Sequence, residues 1–334
     1  MSPAFPAYVV EGTPHQAQGG VRHLTLDQLP AGDVVIEVEW SGVNYKDALA
    51  ASGHPGVAPH LPHVPGIDCA GRVVQSQVES LPLGKEVLVT GYDQGATRWG
   101  GYSAMVRTPA EWVVELPEGM TTRQAMIYGT AGFTAAQCVK AITDRVSPEA
   151  GPVLVTGATG GVGVFAVGLL AKLGYRVTAV SGKPEAATLL GQLGVVEVLP
   201  REALADKSGN PLLAARWAAA VDTVGGAPLA SLLRSIKHRG VVAACGLVAG
   251  DRLEISLYPF LLRGVTLCGI DSAKCPRAPR LEIWDLLAEA WRIDLPEGLV
   301  HETDFDGLPA ALQQILAGKM RGRTLVRPTT PTKA

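Results

Sequence analysis

Residues 153–163 read VLVTGATGGVG: a β-branched run, a glycine-rich turn, and then the apolar helical stretch Val164–Leu173. A strand that breaks into glycines and re-emerges as a helix is the opening unit of a parallel α/β sheet. The glycines let the backbone approach a pyrophosphate. The helix N-terminus adds unpaired N–H groups and the positive end of its dipole. In the G-x-G-x-x-G register the three positions are Ala158, Gly160 and Gly163, so the first glycine is missing and the surroundings must carry the assignment. They do. Lys172–Gly174 ends the helix, and Tyr175–Val180 (YRVTAV) reads as a second strand. The spacing predicts a dinucleotide site.

The residues just past the second strand select the dinucleotide. A site for NAD carries Asp or Glu about 20 residues beyond the motif to hold the ribose hydroxyls. This chain has Ser181, Gly182, Lys183 and Pro184 there. A hydroxyl, a small residue and a cation suit a 2′-phosphate, which a carboxylate would repel. Arg201, after a third predicted strand at Val195–Leu199, supplies a second cation. Solvated loops carry such charges too. The combination favours NADPH.

The alternation continues. A helix over Glu185–Leu193 closed by Gly194, a strand over Ala219–Val224, a helix over Pro228–Lys237, and strands at Val241–Cys245 and Val265–Ile270 complete a doubly wound parallel sheet. Ligands bind at the carboxyl ends of such strands, here Thr156–Gly157, Ser181, Asp222–Gly225 and Cys245–Leu247. Helices near Pro279–Trp291 and at Leu308–Leu316 come next, then a strand at Thr324–Arg327; Pro328–Ala334 reads as a loose tail.

Residues 7–120 have a different texture. Val34–Trp40 (VVIEVEW) alternates, and Ala70–Val74, Glu86–Thr90 and Glu111–Leu116 read as short strands between Gly- and Pro-rich turns, the pattern of a small barrel-like domain. Past Pro117, Thr121–Ile127 and Thr130–Ile142 read as helices, with Thr121 as N-cap.

At 334 residues and 47% hydrophobic content the chain has room for two domains with buried cores. A net charge of −2 with scattered cations excludes a nucleic-acid surface. The most apolar window, Val153–Leu173, is broken by glycines and ends beside Lys172, so no membrane span is expected. Five cysteines without a C-x-x-C, and an N-terminus without a signal-peptide pattern, imply reduced thiols and a cytoplasmic protein. No G-x-S-x-G elbow, Walker A run or H-E-x-x-H is present. His54, His60 and His63 share a Pro-rich loop with Asp68 and Cys69 beyond it, but the prolines scatter these side chains, so no metal site is expected.

The reaction centre suggested by the residues is Asn44–Tyr45–Lys46–Asp47, directly after the strongest N-terminal strand. Hydride addition to an activated alkene makes an enolate-like oxygen that needs positioned donors, then a proton at carbon. Asn44, Tyr45 and Asp47 are the catalytic candidates, with Tyr45 or water as proton donor. Asp47 also fits a plain cap on the helix-like DALAA run.

Asn44–Asp47 (NYKD), Pro65–Gly71 (PGIDCAG), Trp99–Gly101, Gly129–Thr134 (GTAGFT), the 156–163 turn, Ala243–Leu247 (AACGL), Gly269–Ser272 (GIDS) and Gly322–Val326 (GRTLV) lie in order along the whole chain. Together they resemble the medium-chain dehydrogenase/reductase superfamily, its zinc-free quinone oxidoreductase-like branch, and within that the NADPH-dependent acryloyl-CoA reductases. The resemblance implies an α/β fold in which a GroES-like β-rich catalytic domain accompanies a doubly wound Rossmann domain. The segments would be 1–122 (GroES-like), 123–265 (Rossmann) and 266–334 (return to the catalytic domain), with the active site in the cleft between the domains. It further implies that Tyr45, Thr159, Gly160, Gly161, Val162, Ser181, Gly182, Lys183, Arg201, Leu247, Leu261 and Ser272 touch NADPH. Where zinc-dependent relatives carry Cys and a Gly-His-Glu run, this chain has Asn44 and Gly66–Ile67–Asp68, and the four-cysteine zinc lobe is absent. The implied reaction is reduction of acryloyl-CoA to propanoyl-CoA. Lys46, Arg98, Arg107, Lys274 and Arg277 are the candidate cations for a polyanionic acyl-CoA. A general quinone or enone reductase and a non-catalytic NADPH-binding protein are the rival readings. A homodimer meeting at the edge strand Val265–Ile270 is also implied.

Overall fold

Apolar residues at alternate positions are what make Val34–Gly42 a strand, and this strand is the spine of a seven-stranded sheet. The structure is a computed structural model describing residues 4–183 and 187–328. The chain divides into two units, one of residues 1–130, 273–288 and 300–334, the other of residues 131–272 and 289–299.

In the first unit, β1 (Phe5–Glu11) and β2 (Gln18–Leu24) form an antiparallel hairpin. Its second strand, QGGVRHL, is mostly exposed and lacks alternation, so the sequence pattern does not single it out. Next come β3 (Val34–Gly42), helix α1 (Tyr45–Ala51), β4 (Asp68–Ser76), β5 (Glu86–Thr90), β6 (Met105–Thr108) and the two-residue β7 (Val114–Glu115). The inward residues Val34, Ile36 and Val38 pack with Val73, Val87, Val89 and Val106. The expected strand at Glu111–Leu116 is cut to Val114–Glu115, because Ala110–Trp112 is a 3₁₀ turn. Pro109 starts the turn, and the Asp33 carboxylate accepts the Ala110 N–H at 3.1 Å, drawing the chain out of line. The two expected helices are both present as the halves of α2 (Thr122–Thr143), separated by a break at Gly129 (φ 49°, ψ −156°). Thr121 caps it: its hydroxyl accepts the Gln124 N–H, and the Gln124 side chain accepts the Thr121 N–H at 2.9 Å.

The second unit contains β8 (Val153–Val155), α3 (Gly161–Lys172), β9 (Val177–Val180), α4 (Ala187–Gln192), β10 (Val195–Leu199), β11 (Trp217–Asp222), α5 (Gly226–Arg234), β12 (Ile236–Ala244), α6 (Tyr258–Arg263) and β13 (Thr266–Gly269). All pairs are parallel, in the order β10-β9-β8-β11-β12-β13, the doubly wound dinucleotide arrangement. Two expectations need correction. The strand placed at Ala219–Val224 stops at Asp222, whose carboxylate takes the Gly225 N–H at 2.7 Å and turns the chain. The helix placed at Pro228–Lys237 ends at Arg234, because Ile236 is fully buried and pairs with Trp217 as the start of β12. Glu185 and Ala186 of the expected fourth helix, Pro184, and residues 329–334 of the expected tail lie outside the described residues.

The chain then forms α7 (Arg277–Ala288), β14 (Val300–Thr303), α8 (Leu308–Leu316) and β15 (Arg323–Val326). β15 pairs antiparallel with β3, Leu325 opposite Gly42 and Val326 opposite Ser41. The last strand therefore enters the sheet built by the first, in the order β14-β15-β3-β4-β5-β7 with β6 also on β3. Leu308, Ala311 and Leu312 of α8 join Ala48 of α1 and Tyr8 of β1 in one apolar core.

Candidate active and cofactor sites

In the second unit, β8 ends at Val155 and the turn leads to α3, capped by Gly160. Why the third glycine matters is geometric. A Cβ at Gly163 would lie 2.3 Å from the Gly157 carbonyl oxygen and 2.6 Å from the Ala158 Cα, so helix and turn touch backbone to backbone. Ala158 itself is buried without conflict, which explains how the motif tolerates losing its first glycine. The neighbouring strand end is tied in by side chains. The Thr156 hydroxyl donates to Asp222 at 2.8 Å and accepts the Thr223 N–H at 2.9 Å. Burial pushes the Asp222 carboxyl up, while the Gly225 N–H and Thr156 hydroxyl oppose the shift.

Beyond β9, the buried Ser181 hydroxyl oxygen accepts the Lys183 N–H at 3.0 Å. A Cβ at Gly182 would meet the Arg201 Nε at 2.5 Å, so the guanidinium lies directly on this glycine. Serine, lysine and arginine thus converge at the carboxyl ends of β9 and β10. Thr159, Gly160, Gly161 and Val162 form the head of α3; Leu247 comes after β12, Leu261 sits on α6, and Ser272 comes after β13. Leu247 and Leu261 are 62% and 76% exposed.

The first unit holds a buried polar cluster. Asn44 is the N-cap of α1, and Asp47 is its third residue, so the expected Asp47 cap is replaced by a reciprocal pair. The Asp47 carboxylate accepts the N–H groups of Asn44 and Ile67, both at 2.8 Å. The Asn44 amide also donates to Asp68 at 2.8 Å. Asp68, fully buried, accepts the Thr130 N–H at 3.0 Å and the Thr130 hydroxyl. The buried Arg323 donates to the carbonyls of Val43 and Ile127 and to the Asn44 Oδ1 at 3.2 Å. Burial pushes the Asp47 carboxyl up to about 7; the Asp68 charge adds to this, and the donors from Ile67 and Asn44 oppose it. Burial pushes the Cys69 thiol up to about 12, so it stays protonated. Tyr45, by contrast, is 39% exposed.

Residues 30–118 match the alcohol dehydrogenase GroES-like domain, and residues 161–289 match the zinc-binding dehydrogenase family. The chain is 45% identical over 312 residues to the acrylyl-CoA reductase AcuI of Ruegeria pomeroyi, covering 93% of this chain and 94% of that one. This chain belongs to the medium-chain dehydrogenase/reductase superfamily. A crystal structure of the YhdH oxidoreductase from Salmonella enterica, in complex with NADP, superposes with a TM-score of 0.92 at 43% identity, covering 96% of this chain and 99% of the other. The Bacillus subtilis protein YhfP, solved with NAD bound, gives 0.93 at 42% identity, covering 98% and 100%.

A superfamily that includes zinc enzymes raises the question of a metal at Asn44 and Asp68. The residues do not fit one. The Asp68 oxygens are occupied by Asn44 and Thr130 donors, and the Arg323 guanidinium stands 3.7 Å away. A cation there would meet a fixed positive charge. Among the loop histidines, the buried His63 ring engages the Gly95 carbonyl oxygen at 3.1 Å, and the His54 Nδ1 accepts the Gly56 N–H. Arg98 and Arg277 are held by backbone carbonyls of Ala31, Glu111 and Val113, while Lys274 is exposed.

The roles of Asp68 and Arg323 in this cluster escape residue-by-residue reading. Their signal is charge in apolar company: Asp68 inside PGIDCAG and Arg323 heading RTLV.

Proposed function

We propose that this chain reduces the activated C=C bond of acryloyl-CoA, giving propanoyl-CoA and NADP⁺ from NADPH and a proton. The observation that carries this reading is the near-full-length identity to a relative named acrylyl-CoA reductase. The Ser181–Gly182–Lys183 turn with Arg201 supports NADPH over NADH, since it has two cations and no carboxylate at the ribose position.

The cofactor supplies a hydride when bound. Thr159, Gly160, Gly161 and Val162 hold the pyrophosphate at the head of α3. Ser181, Gly182, Lys183 and Arg201 hold the 2′-phosphate. Leu247, Leu261 and Ser272 complete the cofactor surface, with the two exposed leucines gaining cover. Tyr45 is the catalytic candidate: its exposed phenol is a donor for the thioester oxygen as negative charge gathers there, or for the nicotinamide amide. Asn44 and the fully buried Asp47 act by holding the start of α1, and so Tyr45, in place. The substrate is a small acyl-CoA or enone.

The reading includes a homodimer in the cytoplasm. β13 ends the parallel sheet as an edge strand, and Leu257, Tyr258 and Leu262 beside it are exposed, an arrangement that calls for cover. The five free cysteines suit a reducing compartment. No helix among the described residues is long and apolar enough to cross a membrane.

The test is NADPH oxidation with acryloyl-CoA, crotonyl-CoA and a simple quinone at matched concentrations, repeated with NADH. Preference for acryloyl-CoA and NADPH supports the reading. Faster turnover of the quinone makes the chain a general quinone or enone reductase. Cofactor binding without turnover of any substrate makes it a non-catalytic binding protein.

A further inference from the structure

Arg280 is the largest charged side chain buried in α7, and nothing in the proposed chemistry uses it. Its guanidinium donates to the Thr90 carbonyl at 2.7 Å and the Thr90 hydroxyl at 3.1 Å. Its other terminal nitrogen donates to the carbonyls of Ala273, at 3.1 Å, and Cys275. The guanidinium carbon lies 4.2 Å from the centre of the Tyr92 ring, which itself stacks on Trp112 at 5.2 Å and 2°. Tyr92 has φ 52°, a left-handed conformation unfavourable for a residue with a Cβ. Its backbone N–H donates to the Ala273 carbonyl at 2.8 Å.

Two donors from separate elements therefore converge on one carbonyl oxygen, that of Ala273. Burying an arginine is costly unless its donors are met, and here its terminal nitrogens are met by four oxygens of Thr90, Ala273 and Cys275. Backbone strain held by packing points to a placed atom rather than to stability. The placed atom here is the Ala273 carbonyl, and its peptide neighbour is Ser272. With φ and ψ the only soft dihedrals per residue, fixing the Ala273 peptide narrows the orientation of Ser272.

We infer that Arg280 and Tyr92 form a clamp on the Ala273 carbonyl that positions Ser272 for the cofactor. The inference rests on the proposed function, in which Ser272 lies against NADPH. Arg280 and Tyr92 are positioning residues: they act through Ser272 and touch no reactant.

The experiment measures NADPH dissociation constants by fluorescence titration on the full chain, with thermal melting alongside. The variants are Ser272→Ala, Arg280→Met, Arg280→Lys, Tyr92→Gly and the double Arg280→Met/Ser272→Ala. Arg280→Met is expected to weaken NADPH binding about tenfold and, by leaving the Thr90 and Cys275 carbonyls without this donor, to lower the melting temperature as well. Arg280→Lys, which cannot span both carbonyl sets, should not rescue it. The double variant should bind no worse than the weaker single one, because both act on one contact. Tyr92→Gly relieves the strain but frees the loop; it should weaken binding too, and it serves if Arg280→Met does not fold. If Ser272→Ala weakens binding while Arg280→Met and Tyr92→Gly bind like the parent, the clamp is overturned and the NADPH reading stands. Independent, additive losses in the double variant also overturn it. If the parent binds no NADPH, both fall.

Discussion

The Asp68 carboxylate and the Arg323 guanidinium approach to 3.7 Å, with side chains 0% and 2% exposed. One opens β4 and the other opens β15, at the far end of the chain. Asn44 lies between them, donating to the first and accepting from the second. Removing one member of a buried pair strands the other charge, at a cost of about 3–5 kcal/mol. Asp68→Asn and Arg323→Met should each lose roughly that much stability in urea titrations. The double variant should recover a large part of it. Additive losses would mean that the two groups do not depend on each other.

Gly129 makes this pair possible. A Cβ there would lie 2.5 Å from Asp68 Oδ2 and 2.8 Å from the Arg323 Nη2, and its backbone occupies a region open essentially to glycine. Gly129→Ala is expected to destabilise by about 1–3 kcal/mol from the backbone alone, with the clash adding to that. A melting temperature equal to the parent's would contradict the geometry.

Asp47 links stability to pH. Its carboxyl ionises near 7 in the folded chain, against 3.8 for an ordinary aspartate. Between those values the folded state holds a proton that the unfolded state has released. The contribution is therefore complete below about pH 4 and is lost as pH rises through about 7, amounting to about 4 kcal/mol. Asp47→Asn keeps the shape without the proton. The stability difference between parent and Asp47→Asn, measured by denaturation from about pH 4 to about pH 8, should shift against the parent as pH rises. A flat difference would place the ionisation elsewhere.

Lys183 and Arg201 should govern cofactor choice. Lys183→Ala and Arg201→Ala are each expected to raise KM for NADPH about tenfold, equivalent to ~1.4 kcal/mol, and to leave KM for NADH nearly unchanged. Equal effects on both cofactors would remove the 2′-phosphate from the assignment.

Much of the fold was legible because its rules are local. Strand, glycine turn and helix are neighbours in the chain, so VLVTGATGGVG announced the parallel sheet, and the strand at Val195–Leu199 and the helix at Leu308–Leu316 fall where the pattern places them. Boundaries failed where a group intervened from elsewhere: Asp33 on the Ala110 N–H, or Trp217 pairing with Ile236. Ser181, Lys183 and Arg201 were readable as a set because each lies just past a strand of one sheet.

The sequence by itself determined the two textures of the chain, the glycine turn and the residues set at the ends of the parallel strands. All of these follow from backbone propensity and short-range periodicity. Only the tertiary structure decided that Asp68, Asn44 and Arg323 form one buried cluster and that Arg280 reaches Thr90 and Ala273. Such partners lie far apart in the chain, and burial is what gives their charges strength. A sequence pattern reports which face of an element is apolar. Which distant group meets a buried charge depends on how strands pair and helices pack, and that is settled only when the chain closes on itself.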